Sequence, residues 1–148
     1  MSDLELMLPS RNFTVNLETY IDAFPRRYFD ENSQEYVIYE DDVPRTEYLN
    51  YKSMGLSFLF KGICLKGVFM YIRGGGYSKF QKSCTYLGDI FWENPSRSVF
   101  EGQLEGEGFS TGNKSNQIFL DMYKGEFLYT YMERPESSYV SFGKRASK

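Results

Sequence analysis

The spacing of large apolar residues in one stretch, Tyr48–Tyr71, returns 71 positions later in Phe119–Phe142. Few identities survive the shift, but large apolar residues meet large apolar residues, as where Phe58 aligns with Tyr129. A repeat inside 148 residues means two halves that share one core. The sequence therefore predicts one domain, residues 1–148, made of two repeats (approximately 16–72 and 94–142) that the Gly-rich connector Arg73–Tyr77 joins.

Apolar and polar residues alternate inside each half, which is the period of a half-buried β-strand. Leu56, Phe58 and Phe60 are the plainest example. The pattern predicts strands at about 46–52, 55–61 and 65–72, and again at about 116–123, 126–132 and 138–142. Lys61-Gly62 favours a tight hairpin, and the YVIY segment at 36–39 is a candidate for one further short strand.

Two segments carry helix signals. Asn16–Phe24 has an N-cap residue followed by apolar residues at i, i+3, i+4 and i+7, and Pro25 would stop it. Asn94-Pro95 is an N-cap followed by Pro at the first helical position. Each repeat thus reads helix, strand, strand, strand. The expected fold is α+β: a tandem α-β-β-β repeat forming one mainly antiparallel sheet with two helices on one face.

The alternation assigns side chains to the two faces of this sheet. The residues expected beneath the helices are Leu49, Tyr51, Leu56, Phe58, Phe60, Leu120, Met122, Phe127, Tyr129 and Tyr131. Those expected on the far face are Tyr48, Asn50, Ser57, Leu59, Phe119, Asp121, Tyr123, Leu128 and Thr130. The far face is too aromatic for a purely solvated surface and too polar for a core, and such mixed patches mark binding sites. Ordinary surface aromatics and a homodimer seam are the competing interpretations.

Composition and charge limit the class of partner. Aromatic residues make up 18% of the chain, which favours sheet and leaves Tyr available for contacts. A net charge of −3 lacks the basic footprint that nucleic acid requires. The densest charge is acidic, in Asp30, Glu31, Glu35 and Glu40-Asp41-Asp42. It is either a solvated loop or a steering surface for a cationic partner.

Location and cysteine chemistry are predicted from what the sequence lacks. Cys64 and Cys84 have neither CxxC nor metal-ligand spacing and are expected to be reduced thiols. The N-terminus has no signal-peptide pattern, and no apolar run is long enough to span a bilayer. The expectation is a cytoplasmic protein that does not enter the membrane.

Catalysis is not expected. The chain has no histidine, which removes the commonest general base and the Ser-His and Cys-His pairs. Glu101, Glu105 and Glu107 are better read as solvated carboxylates than as an acid/base pair. The calcium-loop spacing and the phosphate-loop motif are both absent. We therefore predict no catalytic residues, no metal and no cofactor.

Element order and apolar spacing from Asn16 to Phe142 resemble the β-lactamase inhibitor proteins and the related small outer-membrane lipoproteins, which also join tandem helix-plus-hairpin units into one curved sheet. Immunity proteins of bacterial contact-dependent and secreted toxin systems are similar in kind. Those inhibitors plug an enzyme with the open sheet face and its loops. The resemblance implies a corresponding surface at Tyr48, Phe119, Asp121 and Tyr123, with the turns Lys61–Cys64 and Glu133–Ser137. The chain lacks the signal and disulfide loops of the lactamase inhibitors, so β-lactamase is not carried over as the target.

The sequence therefore predicts a non-enzymatic binding protein, most concretely an immunity protein that occludes the active site of a bacterial toxin. The partner is a protein, for instance a basic toxin domain, and monomer or homodimer stays open. The aromatic face would anchor it and Glu40-Asp41-Asp42 would guide it. The alternative is a small-ligand or lipid-binding α+β domain. The residues assigned to partner binding are Tyr48, Phe119, Asp121, Tyr123, Glu40, Asp41 and Asp42.

Overall fold

The computed structural model describes residues 3–8, 12–24, 34–80 and 83–145. The strands in chain order are β1 (Leu4–Met7), β2 (Asn12–Val15), β3 (Gln34–Tyr39), β4 (Thr46–Tyr51), β5 (Leu56–Lys61), β6 (Cys64–Gly74), β7 (Ser83–Cys84), β8 (Ser110–Thr111), β9 (Phe119–Lys124), β10 (Phe127–Glu133) and β11 (Ser137–Lys144). The α-helices are α1 (Asp89–Glu93) and α2 (Arg97–Gly106), and 3-10 turns occupy Ile21–Ala23 and Lys52–Met54.

Eight of the strands form one antiparallel sheet in the order β3-β4-β5-β6-β11-β10-β9-β8. All six strands predicted from the alternation are present within a few residues of their expected bounds, and the short strand at 36–39 is part of β3. The predicted hairpin joins β5 to β6 through Gly62, whose φ of 64° suits a tight turn. The coarse prediction of a mostly antiparallel α+β fold with two helices is therefore confirmed.

One face of the large sheet carries the core. Nine of the ten residues predicted to lie there are buried, and Phe127 is half-buried. The layer that covers this inner face has two parts. A small sheet, β2-β1-β7, covers the first part, where the Phe13 ring meets the Phe58 ring edge-on at 5.9 Å. The helices cover the second, where Phe100 lies 5.4 Å from Tyr131.

The helix predicted over Asn16–Phe24 is wrong. Its backbone bonds to the start of β6 and to the turn before it: Glu18 N–H donates to Leu65 O, Leu65 N–H donates to Thr19 O, and Ile21 N–H donates to Ile63 O, each at 2.8 Å. Glu18 has a φ of 70°, outside the helical region. Only the single 3-10 turn Ile21–Ala23 forms, and Phe24 still reaches the core, 4.8 Å from Phe58. The predicted stop at Pro25 lies outside the described residues.

The second predicted helix exists but starts later than Asn94-Pro95. Ser96 is the N-cap, and its side chain accepts a hydrogen bond from Val99 N–H at 3.2 Å. The predicted apolar stripe includes Phe100 and Leu104, and both are fully buried. Helix α1, directly before it, was not predicted. Both helices therefore belong to the second half and lie on the inner face.

The tandem repeat is not confirmed by the pairing of the strands. Leu49 pairs with Phe58, whereas their counterparts at the 71-residue offset do not pair with each other: Leu120 pairs with Tyr131, and Tyr129 with Met122. The segments that cover the two halves also differ. The predicted connector Arg73–Tyr77 begins inside β6 and closes as a turn, in which Tyr77 N–H donates to Gly74 O at 3.2 Å.

Candidate functional site

The outer face of the large sheet holds a row of aromatic rings that we call the aromatic basin. The rings make contact in sequence across β3, β4, β6, β11 and the turn after β6, with centroids 3.7 to 6.4 Å apart. Adjacent strands bring them together because their side chains point to the same face. They line a depression of about 450 Å³. The rings are Tyr39, Tyr48, Phe69, Tyr139, Tyr71 and Tyr77.

A short polar network forms part of the basin. Ser57 Oγ donates to Asn50 Oδ1, and Asn50 Nδ2 donates to Glu35 Oε1 at 3.2 Å. Lys52 Nζ lies 3.5 Å from Glu35 Oε2 and 5.8 Å from the centroid of the Tyr77 ring. Asn50 and Ser57 are buried, although the alternation predicted them on an outer face. Their hydrogen bonds to each other and to Glu35 satisfy them there.

Partial burial changes the acidity of the phenols in the basin. Desolvation raises the pKa of Tyr71 well above its usual value, with Tyr77 and Tyr139 adding to the shift. Desolvation likewise raises the pKa of Tyr48, Tyr77 and Tyr139. The phenols are therefore neutral at physiological pH. They offer ring faces and hydroxyl groups to a ligand rather than negative charge.

The turn between β3 and β4 brings acidic residues to one side of the basin. We call Glu40–Asp42 the acidic turn. Asp42 N–H donates to Tyr39 O at 3.3 Å, and the Asp42 carboxylate is one of the charges that raise the pKa of Tyr48. Exposed apolar side chains surround the same turn: of the large hydrophobic residues that are exposed in the described ranges, half lie between positions 36 and 43. The acidic residues predicted at Asp30 and Glu31 lie outside the described residues.

The other predicted contact residues form a separate group, the β9 cluster, made of Phe119, Asp121 and Tyr123. All three are half-buried on the outer face. Arg134 lies over the Phe119 ring at 5.7 Å, Arg145 over the Tyr123 ring at 3.7 Å, and Thr130 Oγ1 donates to Asp121 Oδ1 at 2.8 Å. Four strands separate β9 from β4, which is about 24 Å at the usual strand spacing. The structure thus groups Tyr48 with the acidic turn and sets the β9 cluster apart.

A second cavity, of about 670 Å³, lies between the small sheet and helix α2. Met7, Thr85 and Tyr86 line one side, and the helix contributes Gly102 and Gly106. A Cβ atom added at either glycine would meet no atom within 4 Å, so the helix surface there is open. The Oε1 atom of Gln103, in the same lining, is buried and has no hydrogen-bond partner among the described residues. This cavity has the size of a small-molecule site.

Sequence reasoning named Glu35 only as part of the acidic patch, and it missed most of the rings of the basin, which are Tyr39, Phe69, Tyr71, Tyr77 and Tyr139. Alternation that ran unbroken from Leu65 would place Phe69 and Tyr71 on the inner face, away from Tyr48. Instead β6 contains a bulge opposite the Leu59/Phe60 step, so that Lys66 has no partner there, the alternation changes phase, and both rings lie on the outer face. Tyr77 joins the basin through the glycine turn, which gives no periodic signal.

Comparisons with known proteins gave no match: no protein-family model, no curated protein and no solved structure matches the chain. Within the described ranges, no helix is long and apolar enough to cross a membrane. The same ranges contain no group of three or more Cys, Asp or Glu residues placed to hold a metal ion.

Proposed function

We propose that this chain is a non-enzymatic protein-binding inhibitor, most concretely an immunity protein that neutralises a bacterial toxin by occluding its active site. The observation that carries the proposal is the aromatic basin on the outer face of the sheet, with the acidic turn beside it. Buried aromatic anchors supply most of the binding energy in protein interfaces, and charged rims guide association.

The size of a protein interface accommodates both groups of predicted contact residues. A typical interface covers about 800 Å² on each partner, which is roughly 30 Å across. A partner centred between the basin and the β9 cluster could therefore contact both. The arginines over Phe119 and Tyr123 already shield those rings. We accordingly propose the basin as the anchor and the β9 cluster as a peripheral contact.

The proposal is tested by growth rescue. Toxin domains encoded next to the gene for this chain are expressed with and without it. The expected result is that one toxin stops growth alone, that the chain restores growth, and that the two elute together from a sizing column. If every such toxin remains lethal in the presence of well-folded chain, the proposed function is wrong.

Removing two basin rings should abolish this protection. We expect the double variant Tyr48→Ala, Tyr139→Ala to bind the toxin at least about 100-fold more weakly, because hot-spot aromatics each contribute about 2 kcal/mol or more. The measurement is the Kd by titration calorimetry, with circular dichroism to verify folding. Tyr20→Ala is the matched control, since Tyr20 is 58% exposed and lies outside the basin. Unchanged affinity in the folded double variant would exclude the basin as the anchor.

Neutralising the acidic turn should act on the association rate. In Glu40→Gln, Asp41→Asn, Asp42→Asn we expect association with a basic toxin to slow by about tenfold at low salt and to lose most of its salt dependence. The control is Glu101→Gln, Glu105→Gln, Glu107→Gln on and after α2, which removes the same charge from the opposite layer. Stopped-flow association at several salt concentrations is the measurement. Equal rates in both triple variants would mean that only net charge matters.

The second candidate function is small-ligand binding, and the cavity between the small sheet and α2 favours it. Native mass spectrometry of protein purified from cells separates the two candidates. If the purified protein retains a small molecule and the Gly102→Leu variant does not, the second candidate is supported, because the leucine would fill the cavity.

A further inference from the structure

The basin already holds one positive charge of its own. The Lys52 ammonium lies over the Tyr77 ring at 5.8 Å and faces the Glu35 carboxylate at 3.5 Å. An aromatic ring and a carboxylate around one ammonium group are the elements of a cation site. Both side chains of the pair are nearly half exposed, so the pair is weak and a competing cation can displace it.

The two aromatic groups on the outer face differ in how their rings are covered. In the β9 cluster, Phe119 and Tyr123 each have an arginine of this chain over the ring. In the basin, Lys52 is the one cation that lies over a ring within the described ranges, and it covers Tyr77 alone; the Arg134 charge acts on the Tyr139 phenol without lying over its ring. The faces of Tyr48, Phe69 and Tyr139 have no such partner there. The rings of the β9 cluster are therefore covered by arginines of this chain, whereas no described cation lies over these three rings of the basin.

Charge near the basin favours a positive occupant. Glu35 lies within it, and the acidic turn adjoins Tyr39 and Tyr48. Arg45 contacts Glu47 at 3.4 Å and Glu40 at 4.0 Å, and Lys52 contacts Glu35. Asp41 and Asp42 form no ion pair with any described residue. The negative charge that remains is complementary to a cationic group on a partner.

We infer that the aromatic basin binds an arginine side chain of the partner, with the guanidinium lying against the rings of Tyr48, Phe69 and Tyr139 and with Glu35 as its counter-ion. This inference rests on the proposed function, because it supplies the partner residue that the inhibitor recognises. Arginine fits better than lysine because its planar guanidinium stacks on aromatic faces and is weakly hydrated. The guanidinium takes the place of Lys52 beside Glu35.

The test uses the full chain and a single residue as the probe. Nα-acetyl-arginine amide is titrated into protein carrying labelled Tyr and Phe rings, and the ring signals are followed by NMR. We expect saturable shifts of Tyr48, Phe69 and Tyr139 with a Kd of about 1 to 10 mM. Nα-acetyl-citrulline amide has nearly the same shape and no charge, and should shift the same signals at least about tenfold more weakly. Equal binding of the two probes would overturn the inference.

Two substitutions give opposite expected results. Glu35→Gln should weaken arginine binding by about tenfold, since it removes the counter-ion. Lys52→Met should strengthen it several-fold, because the resident cation no longer competes for Glu35. Glu105→Gln on α2 is the control for net charge and should change nothing. Weaker or unchanged binding in Lys52→Met would contradict the displacement of Lys52 and with it the inference.

The outcomes separate this inference from the proposed function. If neither probe binds while Tyr48→Ala, Tyr139→Ala still loses the toxin, the inference is wrong and the proposed function stands. If the arginine probe binds as expected and no toxin is neutralised, the proposed function is wrong and the basin remains a guanidinium site of another role.

Discussion

Replacing Gly74 by alanine should destabilise the protein by about 3 kcal/mol or more, whereas Gly76→Ala should cost about 1 kcal/mol. Both glycines have left-handed φ values, 81° and 78°, so alanine is strained at either position. The two positions differ in the space that is available for a Cβ atom. A Cβ on Gly74 would lie 2.1 Å from Glu136 O and 2.7 Å from Ser137 Cα, while at Gly76 the nearest atom is Lys52 Nζ at 4.0 Å.

The clash at Gly74 cannot be relieved by turning a side chain, because both close atoms belong to the backbone where β11 begins to pair with β6. We therefore expect the start of β11 to move away from β6. Urea denaturation of the two variants measures the difference in the free energy of unfolding. Loss of the Tyr71–Tyr77 stacking, which the same turn positions at 3.7 Å, should accompany it in the ring NMR signals of Gly74→Ala. Equal free energies of unfolding for the two variants would mean that the pairing of β6 with β11 adjusts to the added Cβ atom at little cost.

The large sheet was predictable because its signal is local. Leu56, Phe58 and Phe60 alternate with less apolar neighbours, and they are fully buried along one strand. Period-two alternation needs only a few residues to specify a strand and the face that it buries. The same reasoning located β9 and β10 and placed Tyr129 and Tyr131 in the core.

The covering layer was not predictable from local pattern, because it is made by long-range contacts. Leu17, Tyr20, Ile21 and Phe24 have helical spacing, but the backbone there bonds to the first residues of β6 and to the turn before it, about 45 residues along the chain. A helix of barely two turns is marginal, so hydrogen bonds to an existing sheet decide the conformation. Strands β1, β2 and β7 are two to four residues long, and segments so short carry little periodic signal.

The residues predicted to form one site lie in two separate groups for a similar reason. The sequence placed Tyr48 and Tyr123 on one face, and both are on it. It carried no information on lateral distance, because strand order depends on which hairpins meet: β6 pairs with β11, which puts β4 and β9 on opposite sides of that contact. The bulge in β6 then brought Phe69 and Tyr71 into the same surface as Tyr48.

Alkaline pH should lower the free energy of unfolding, because a thiol and a phenol are buried in the native state. Burial raises the pKa of the Cys84 thiol to about 12 from the ordinary value of 9.0, and desolvation raises that of the fully buried Tyr129 well above 10.0. The native state therefore keeps both protons at a pH where the unfolded chain releases them. Stability is fully present below about pH 9 and falls as pH rises towards the folded pKa values, by about 1.4 kcal/mol per pH unit for each group.

At about pH 10.5 the Cys84 contribution alone should be a loss of about 2 kcal/mol, with Tyr129 adding to the slope above about pH 10. Urea denaturation under reducing conditions at a series of pH values gives the slope. Cys84→Ala should remove the loss of stability that begins near pH 9, and Tyr129→Phe should remove the loss that begins near pH 10. Both effects are separate from any change in stability that the substitution causes at neutral pH. Tyr129→Phe does have such a cost, since its hydroxyl donates to Thr85 O. Cys64→Ala, which keeps Cys84, should retain the full slope; if it flattens the curve as much as Cys84→Ala does, burial of Cys84 is not the cause.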